Sequence, residues 1–254
     1  MIEVVGLSKR FTQRRGKKTE VVTAVSDVHF SAADARITGL LGPNGAGKTT
    51  SLRIVAGLID ADAGKVQVDG LSIVSDRRAA LSRLGILSDA RGLYPRLTAR
   101  ENILYYARLH GMSDSDAGAR IRWLGGVLEM EGILDRRTEG FSQGERMKTA
   151  LARAVVHDPP NIILDEPTNG LDVLSTRRLR DALRRLRDEG GKCIVFSTHI
   201  MQEVERLCDH VVLVSHGRTV AGGTPAELCA QSGETDFEEA FVKLAFTSEE
   251  RSAA

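Results

Sequence analysis

The residues with the clearest chemical meaning form a glycine-rich loop near position 45. The loop follows the pattern G-x-x-x-x-G-K-S/T, in which glycines let backbone amides converge on phosphate oxygens. Its residues are Gly42, Pro43, Asn44, Gly45, Ala46, Gly47, Lys48 and Thr49, with Thr50 next. Lysine neutralises the β- and γ-phosphates of a nucleotide, and the threonine hydroxyl is a magnesium ligand. The alternative is a glycine turn before a helix. The strand pattern before the loop and the helix pattern after it favour a site for a nucleoside triphosphate and Mg²⁺.

Two adjacent carboxylates form the second candidate. Asp165 and Glu166 end the apolar run of residues 162–164, which is typical of a buried strand. An aspartate at a strand end can hold the magnesium shell. The glutamate one residue later can orient and deprotonate an attacking water. Buried strands often end in acids, so this interpretation depends on the neighbouring phosphate loop.

Four more polar positions have a structural interpretation as well as a chemical one. Ser142 and Glu145 have the spacing of a capping box, which predicts a helix that begins at Ser142. Asp172 precedes a helical pattern that starts at Val173, where an aspartate is a common N-terminal cap. His199 follows the predicted strand 193–198, and a lone histidine at a strand end is usually structural or exposed.

The elements that position these residues alternate between strand and helix. The patterns predict strands at residues 2–7, 24–30, 37–41 and 66–69, then a helical region from about 98 to 157. Later strands at 162–164 and 194–196 flank a charged helix at 175–189, and one more strand is predicted at 211–214. Strands that alternate with helices predict a parallel sheet covered by helices.

Composition limits the classes of protein. The 254 residues are 42% hydrophobic and 27% charged, which predicts a folded chain. A net charge of +1 gives no overall attraction to nucleic acid. No apolar run approaches the ~18–20 residues that span a bilayer. The three cysteines have no metal-ligand spacing, and no signal peptide is visible. We therefore expect a soluble, cytoplasmic chain.

The order of the motifs resembles the ATP-binding cassette (ABC) family over nearly the whole chain. The matching segments are residues 42–49, 141–145, 165–166, 170–172 and 197–199. The resemblance implies an α/β fold of the P-loop NTPase class and ABC ATPase type: a RecA-like core, an antiparallel β subdomain and an inserted helical subdomain at about 90–157. It implies an ATP-binding domain at 1–232, followed by a short helix and tail at 233–254. Phe237, Phe241 and Leu244 lie on one face of that helix.

The resemblance also assigns roles to single residues. It makes Lys48, Glu166 and His199 catalytic, with His199 against the γ-phosphate and the attacking water. It implies that nucleotide also contacts Phe11, through stacking on adenine, although a core phenylalanine is the alternative. It implies that residues of the opposite subunit in a head-to-tail dimer complete the site; these are Ser142, Gly144 and Asp172. Magnesium ligands would be Thr49, Asp165 and Asp89.

Two segments depart from the family pattern. In the segment that is usually LSGGQ, Gln143 replaces the first glycine and Glu145 replaces the glutamine, which brings a negative charge near the expected phosphate. Asp89 stands where a glutamine that contacts magnesium is expected. An aspartate can also ligate magnesium through oxygen.

The resemblance implies an ATPase subunit that works with a second copy of itself and with a polytopic membrane permease on a separate chain, at the cytoplasmic face of the inner (cell) membrane. Residues 92–102 resemble export-type subunits, which favours export, with sodium as the first cargo hypothesis and drug or lipid efflux as alternatives. A soluble ABC ATPase acting on ribosomes or DNA is disfavoured, because the chain has one cassette and no heptad repeats, and no nucleic-acid partner is expected. A GTPase would need an N-K-x-D-like motif, which is absent.

Overall fold

The computed structural model describes residues 1–15, 18–88 and 92–246, with only the backbone at 13–15, 18 and 19. Within these residues the strands form one ten-stranded sheet in the order β5-β4-β1-β2-β10-β9-β3-β8-β7-β6. The strands are β1 (Ile2–Arg15), β2 (Lys18–Ala32), β3 (Ile37–Leu41), β4 (Ala63–Val68), β5 (Leu71–Ser72), β6 (Leu84–Leu87), β7 (Asn161–Asp165), β8 (Cys193–Thr198), β9 (His210–Ser215) and β10 (Arg218–Gly223).

The helices of the described residues flank this sheet or extend from it. They are α1 (Lys48–Val55), α2 (Arg77–Leu81), α3 (Ala99–Leu109), α4 (Asp114–Val127), α5 (Gln143–Val155), α6 (Val173–Asp188), α7 (Met201–Leu207), α8 (Pro225–Ser232) and α9 (Phe237–Phe246). Among the described residues, no helix is both long enough and apolar enough to cross a membrane.

The sheet has a parallel half and an antiparallel half. Strands β9, β3, β8, β7 and β6 run parallel to one another. Strands β2, β1, β4 and β5 are antiparallel neighbours. In the parallel half β3, β7 and β8 are buried along their whole length, because apolar side chains on both faces are covered. This arrangement confirms the predicted α/β class.

The carboxyl ends of the parallel strands meet at one edge of the sheet. Leu41 at the end of β3 pairs with Thr198 at the end of β8, and Asp165 at the end of β7 pairs with Ser197. The phosphate loop, the two carboxylates and His199 each follow one of these strand ends. Such edges are the common ligand sites of open α/β sheets.

Helices α3, α4 and α5 form a helical lobe that shares its core with the sheet. Ile103, Leu124 and Met147 are fully buried in the same apolar cluster as Ile162 and Phe196 of the sheet. At the other end of the chain, Phe237 and Phe241 of α9 are buried in a cluster with Leu41 and Val211. Both helical regions are therefore anchored to the strands that carry the candidate site.

The first two strands differ most from the sequence-based expectation. β1 and β2 extend as a paired ribbon to Arg15 and Lys18, well beyond the predicted 2–7 and 24–30. Most side chains described in the extension are exposed. A ribbon solvated on both faces has no alternating apolar pattern, so periodicity could not detect it.

Candidate active site

The phosphate loop joins β3 to α1, and two of its glycines are required by close contacts. A Cβ atom on Gly42 would lie 2.1 Å from the Val214 carbonyl oxygen. Gly47 has a φ of 101°, and a Cβ there would lie 2.6 Å from the Ala24 carbonyl oxygen. Gly47 is the N-cap residue of α1, and it has no side chain that could accept hydrogen bonds from the first amides of the helix. The first amides of α1 therefore suit an anion such as phosphate.

Lys48 places a buried positive charge in this loop. Its side chain is only 5% exposed, and its ammonium donates to the carbonyl oxygens of Gly42 at 2.7 Å and Pro43 at 3.1 Å. Glu166 Oε1 lies 3.7 Å from the same nitrogen. Burial lowers the pKa of Lys48, while the negative charges of Glu166 and Asp165 oppose this change. The loop thus holds a cation beside the two carboxylates.

Asp165 connects three elements through one carboxylate oxygen. Its Oδ1 accepts hydrogen bonds from the Thr49 hydroxyl at 2.9 Å and from the Ser197 hydroxyl at 2.7 Å. These contacts join the start of α1 to the ends of β7 and β8. Hydroxyl and carboxylate oxygens are the hard ligands that Mg²⁺ prefers, so the pair of Thr49 and Asp165 fits that ion.

Glu166 is held in an unusual backbone conformation. Its φ is 47°, in the left-handed region that costs a residue other than glycine about 1–3 kcal/mol. Its N–H donates to Ser197 Oγ at 3.0 Å, and its carbonyl oxygen accepts from the Asn169 N–H at 3.1 Å. His199 Nδ1 lies 3.0 Å from Glu166 Oε2. The carboxylate therefore sits between Lys48 and His199, where it can orient or accept a proton from water.

The capping box predicted at Ser142 is present at the start of α5. The Ser142 hydroxyl accepts from the Glu145 N–H at 3.2 Å, and the Glu145 carboxylate accepts from the Ser142 N–H at 2.9 Å. Arg136 also donates to Glu145 at 2.7 Å. Burial alone would raise the pKa of Glu145, but the bonds to Ser142 and Arg136 outweigh it and lower the pKa. The extra negative charge in this segment is therefore paired with Arg136.

The start of α5 lies against the start of α6. A Cβ on Gly144 would be 2.6 Å from Ser175 Oγ, so the two helix ends are in close contact. Asp172 caps α6, because its carboxylate accepts from the Ser175 N–H at 2.8 Å. The structure thus gathers Ser142, Gly144 and Asp172 into a second group, which we call the helix-start group.

The remaining two candidates have different outcomes. Phe11 lies in β1 with 36% of its surface exposed, and the Lys9 ammonium is 5.7 Å from its ring centroid. The interpretation of Phe11 as a core residue is therefore wrong, because more than a third of its surface is accessible. Asp89, the predicted magnesium ligand, lies outside the described residues.

Sequence reasoning assigned no role to two polar residues that the structure joins to the site. Ser197 forms hydrogen bonds with both Asp165 and Glu166. Glu203 in α7 accepts hydrogen bonds from Thr168 and Thr198, which lie close in sequence to the catalytic candidates. The available signal for Ser197 was a polar residue that directly follows the apolar run 193–196. For Glu203, its partners are far apart in sequence, and no local spacing marks them.

Comparisons with known proteins agree with this geometry. Residues 25–169 match the family model described as ABC transporter. The chain is 39% identical to the ABC transporter ATP-binding protein NatA of Bacillus subtilis (strain 168), covering 95% of this chain and 97% of that protein. It is 34% identical to the linearmycin resistance ATP-binding protein LnrL of the same organism, covering 92% and 72%. It is 39% identical to the Nod factor export ATP-binding protein I of Paraburkholderia xenovorans (strain LB400), covering 86% and 72%.

Solved structures give the same result for the fold. An ATP-binding subunit of an ABC transporter matches with a TM-score of 0.83 and 28% identity, covering 96% of this chain and 98% of that one. A bacterial ABC transporter cassette, MJ0796, determined as a dimer, matches with a TM-score of 0.77 and 25% identity, covering 88% and 98%. The fold and the site define an ATP-hydrolysing cassette. The chain belongs to the ABC transporter family, as an ATP-binding subunit whose relatives include export proteins.

Substitutions of two buried serines, one in β8 and one in β9, would test the contribution of the hydrogen bonds around Asp165 to stability. Ser197→Ala should lower the free energy of unfolding by about 1–3 kcal/mol, because it removes the hydroxyl that accepts from the Glu166 N–H and leaves Asp165 Oδ1 with the Thr49 hydroxyl as its remaining side-chain donor. Ser215 in β9 is the matched control, since its buried hydroxyl has no hydrogen-bond partner among the described residues. Ser215→Ala should be neutral or stabilising in the same urea titration. Equal destabilisation by the two substitutions would contradict the special role of Ser197.

Proposed function

We propose that this chain binds ATP with Mg²⁺ at the carboxyl edge of its parallel strands and hydrolyses it there. The observation that carries the proposal is the meeting of Lys48, Asp165, Glu166 and His199 beside the phosphate loop, within the distances given above. The amides of the loop, including those at Lys48, Thr49 and Thr50, would hold the phosphates. Thr49 and Asp165 would hold the metal, and Asp89 is proposed as a further oxygen ligand.

Each residue near Glu166 has a distinct task in this proposal. Lys48 would exchange its bonds to loop carbonyls for phosphate oxygens, which are stronger acceptors. Glu166 would orient the attacking water and take its proton. His199 would hold the Glu166 carboxylate in position and contact the γ-phosphate. Magnesium, when bound, would neutralise phosphate charge in the transition state.

We also propose that two copies of the chain form the complete site in a head-to-tail dimer. The described side-chain hydrogen bonds of Ser142 and Asp172 are with Glu145 and Ser175, at the starts of their own helices. None of these bonds joins the helix-start group to the phosphate loop, which suits a role toward a nucleotide bound by another copy. Next to it, Val173 is 87% exposed and Leu174 is 56% exposed, which suits a protein contact. The similarity to a cassette determined as a dimer supports this arrangement. Phe11, with its exposed ring, is proposed to stack on adenine.

The partner of this dimer is proposed to be a membrane permease on a separate chain, at the cytoplasmic face of the cell membrane. The names of the relatives support export, because one is a Nod factor export protein and another confers linearmycin resistance. Sodium is proposed as the cargo from the resemblance of residues 92–102 to export-type subunits, which include the sodium-export type. Efflux of an organic drug or lipid is the second candidate, supported by the linearmycin relative.

Two substitutions separate nucleotide binding from hydrolysis. Glu166→Gln should reduce kcat by about 10²–10⁴-fold while ATP binding is kept, because an amide cannot take a proton from water. Lys48→Ala should instead weaken ATP binding, because it removes the buried cation. The exposed Glu205→Gln is the control and should match the wild type. The measurements are the steady-state rate of ATP hydrolysis and the affinity for ATP. Normal hydrolysis by Glu166→Gln would contradict the role of Glu166. Wild-type affinity of Lys48→Ala for ATP would contradict the role of Lys48.

Transport in vesicles tests the cargo. The chain should be reconstituted with its genomically neighbouring membrane protein in vesicles loaded with sodium, with the Glu166→Gln variant as control. ATP-dependent sodium efflux above that control is the expected result. Efflux equal to the control would eliminate sodium as the cargo and would leave the ATPase assignment unaffected.

A further inference from the structure

Glu203 is a buried acidic residue outside the catalytic group described above. It lies in the first turn of α7 and is 6% exposed. One of its oxygens, Oε2, accepts a hydrogen bond from the Thr168 hydroxyl at 2.8 Å and another from the Thr198 hydroxyl at 3.2 Å. Both threonines are themselves buried. A single carboxylate oxygen thus joins two separate segments of the chain.

These two segments carry the catalytic candidates. Thr168 lies two residues after Glu166, inside the turn that the Asn169 N–H closes on the Glu166 carbonyl oxygen. Thr198 is the residue immediately before His199, and its hydroxyl also accepts from the Ile200 N–H at 3.0 Å. The bridge through Glu203 therefore connects the backbone of Glu166 to the backbone of His199.

The bridge through Glu203 restrains the turn that follows Glu166, whose backbone is in the left-handed conformation. A left-handed glutamate persists only where the surroundings restrain it, and the turn after Glu166 is exposed at Asn169 and Gly170. The Thr168 hydroxyl anchors that turn to α7. Without the anchor, the Glu166 backbone could relax and the carboxylate would shift relative to His199.

Fold stability alone does not account for an acidic residue at this position. Val204 and Leu207 already pack α7 onto the protein through apolar contacts. Burial of a carboxylate is unfavourable unless hydrogen bonds compensate it. Desolvation raises the pKa of Glu203, and the two threonine hydroxyls oppose this change. An apolar residue would avoid the cost of desolvation and would lose the bridge.

We propose that Glu203 is a positioning residue for ATP hydrolysis, which fixes the turn of Glu166 and the strand end of His199 at their 3.0 Å contact. The proposal rests on the proposed function, since it assumes that Glu166 and His199 act in hydrolysis. Glu203 acts through them and does not contact the nucleotide itself.

The first test compares three substitutions in α7. Glu203→Ala should lower kcat by about 10²-fold, because small displacements of a reacting group have effects of that order, while the Kd for ATP stays unchanged. Glu203→Gln should recover most of the activity, because its amide oxygen can accept the same two hydrogen bonds. The control Glu205→Ala alters an exposed residue of the same helix and should behave as wild type. A purely structural role would give lower thermal stability with no selective loss of kcat, and that result would overturn the proposal.

A second variant keeps the test valid if Glu203→Ala does not fold. Thr168→Val preserves the shape of the side chain and removes its hydroxyl, so it should also lower kcat selectively. Thr168→Val with wild-type kcat would overturn the proposal.

A double substitution separates this proposal from the proposed function. In a Glu166→Gln background, Glu203→Ala should cause a much smaller loss of the residual rate, because one of the two residues through which it acts is already disabled. A further loss of the full size would mean that Glu203 acts independently and would overturn the proposal. If Glu166→Gln abolishes hydrolysis and Glu203→Ala does not affect it, only the positioning role fails. If Glu166→Gln is fully active, the proposed function fails, and the positioning role fails with it.

Discussion

The hydrogen bonds that converge on the Asp165 carboxylate hold the candidate site together. Thr49 donates from the start of α1 and Ser197 donates from β8, so one oxygen connects the phosphate loop to two parallel strands. A buried carboxylate is stable only when such donors surround it. The parallel strands supply the geometry, because their buried apolar runs end in register at the same edge. The polar residues beyond the strand ends therefore meet without any direct sequence relation between them.

Charge balance is the second constraint on this edge. Lys48 is almost completely buried, and its nearest compensating charge is the Glu166 carboxylate at 3.7 Å. Glu166 in turn contacts His199 and is held in a strained backbone conformation. Strain of this kind is stored at functional sites when neighbouring contacts enforce it. The site thus consists of groups that stabilise one another and that are also suited to phosphate, metal and water.

Local sequence patterns predicted the parts of the site that depend on short spacing. The phosphate loop, the strand before Asp165 and the caps at Ser142 and Asp172 each involve residues within a few positions of one another. Patterns failed where partners come from distant elements. Ser197 lies 32 residues from Asp165, and Glu203 lies 35 residues from Thr168. The fold creates these contacts, so single-sequence reasoning could not place them. The sequence likewise did not show that the negative charge of Glu145 is paired with Arg136, which lies nine residues earlier.

The most direct measurement concerns the metal that Thr49 and Asp165 are proposed to hold. Electron paramagnetic resonance can follow Mn²⁺, a substitute for Mg²⁺, as it binds to the protein in the presence of ATP. Wild-type protein should bind the ion tightly, and Thr49→Val and Asp165→Asn should each weaken its binding, because each removes or weakens an oxygen ligand. The double variant should bind the ion no better than either single variant. Superimposable Mn²⁺ titrations of the wild type and both single variants would contradict the assignment of this site.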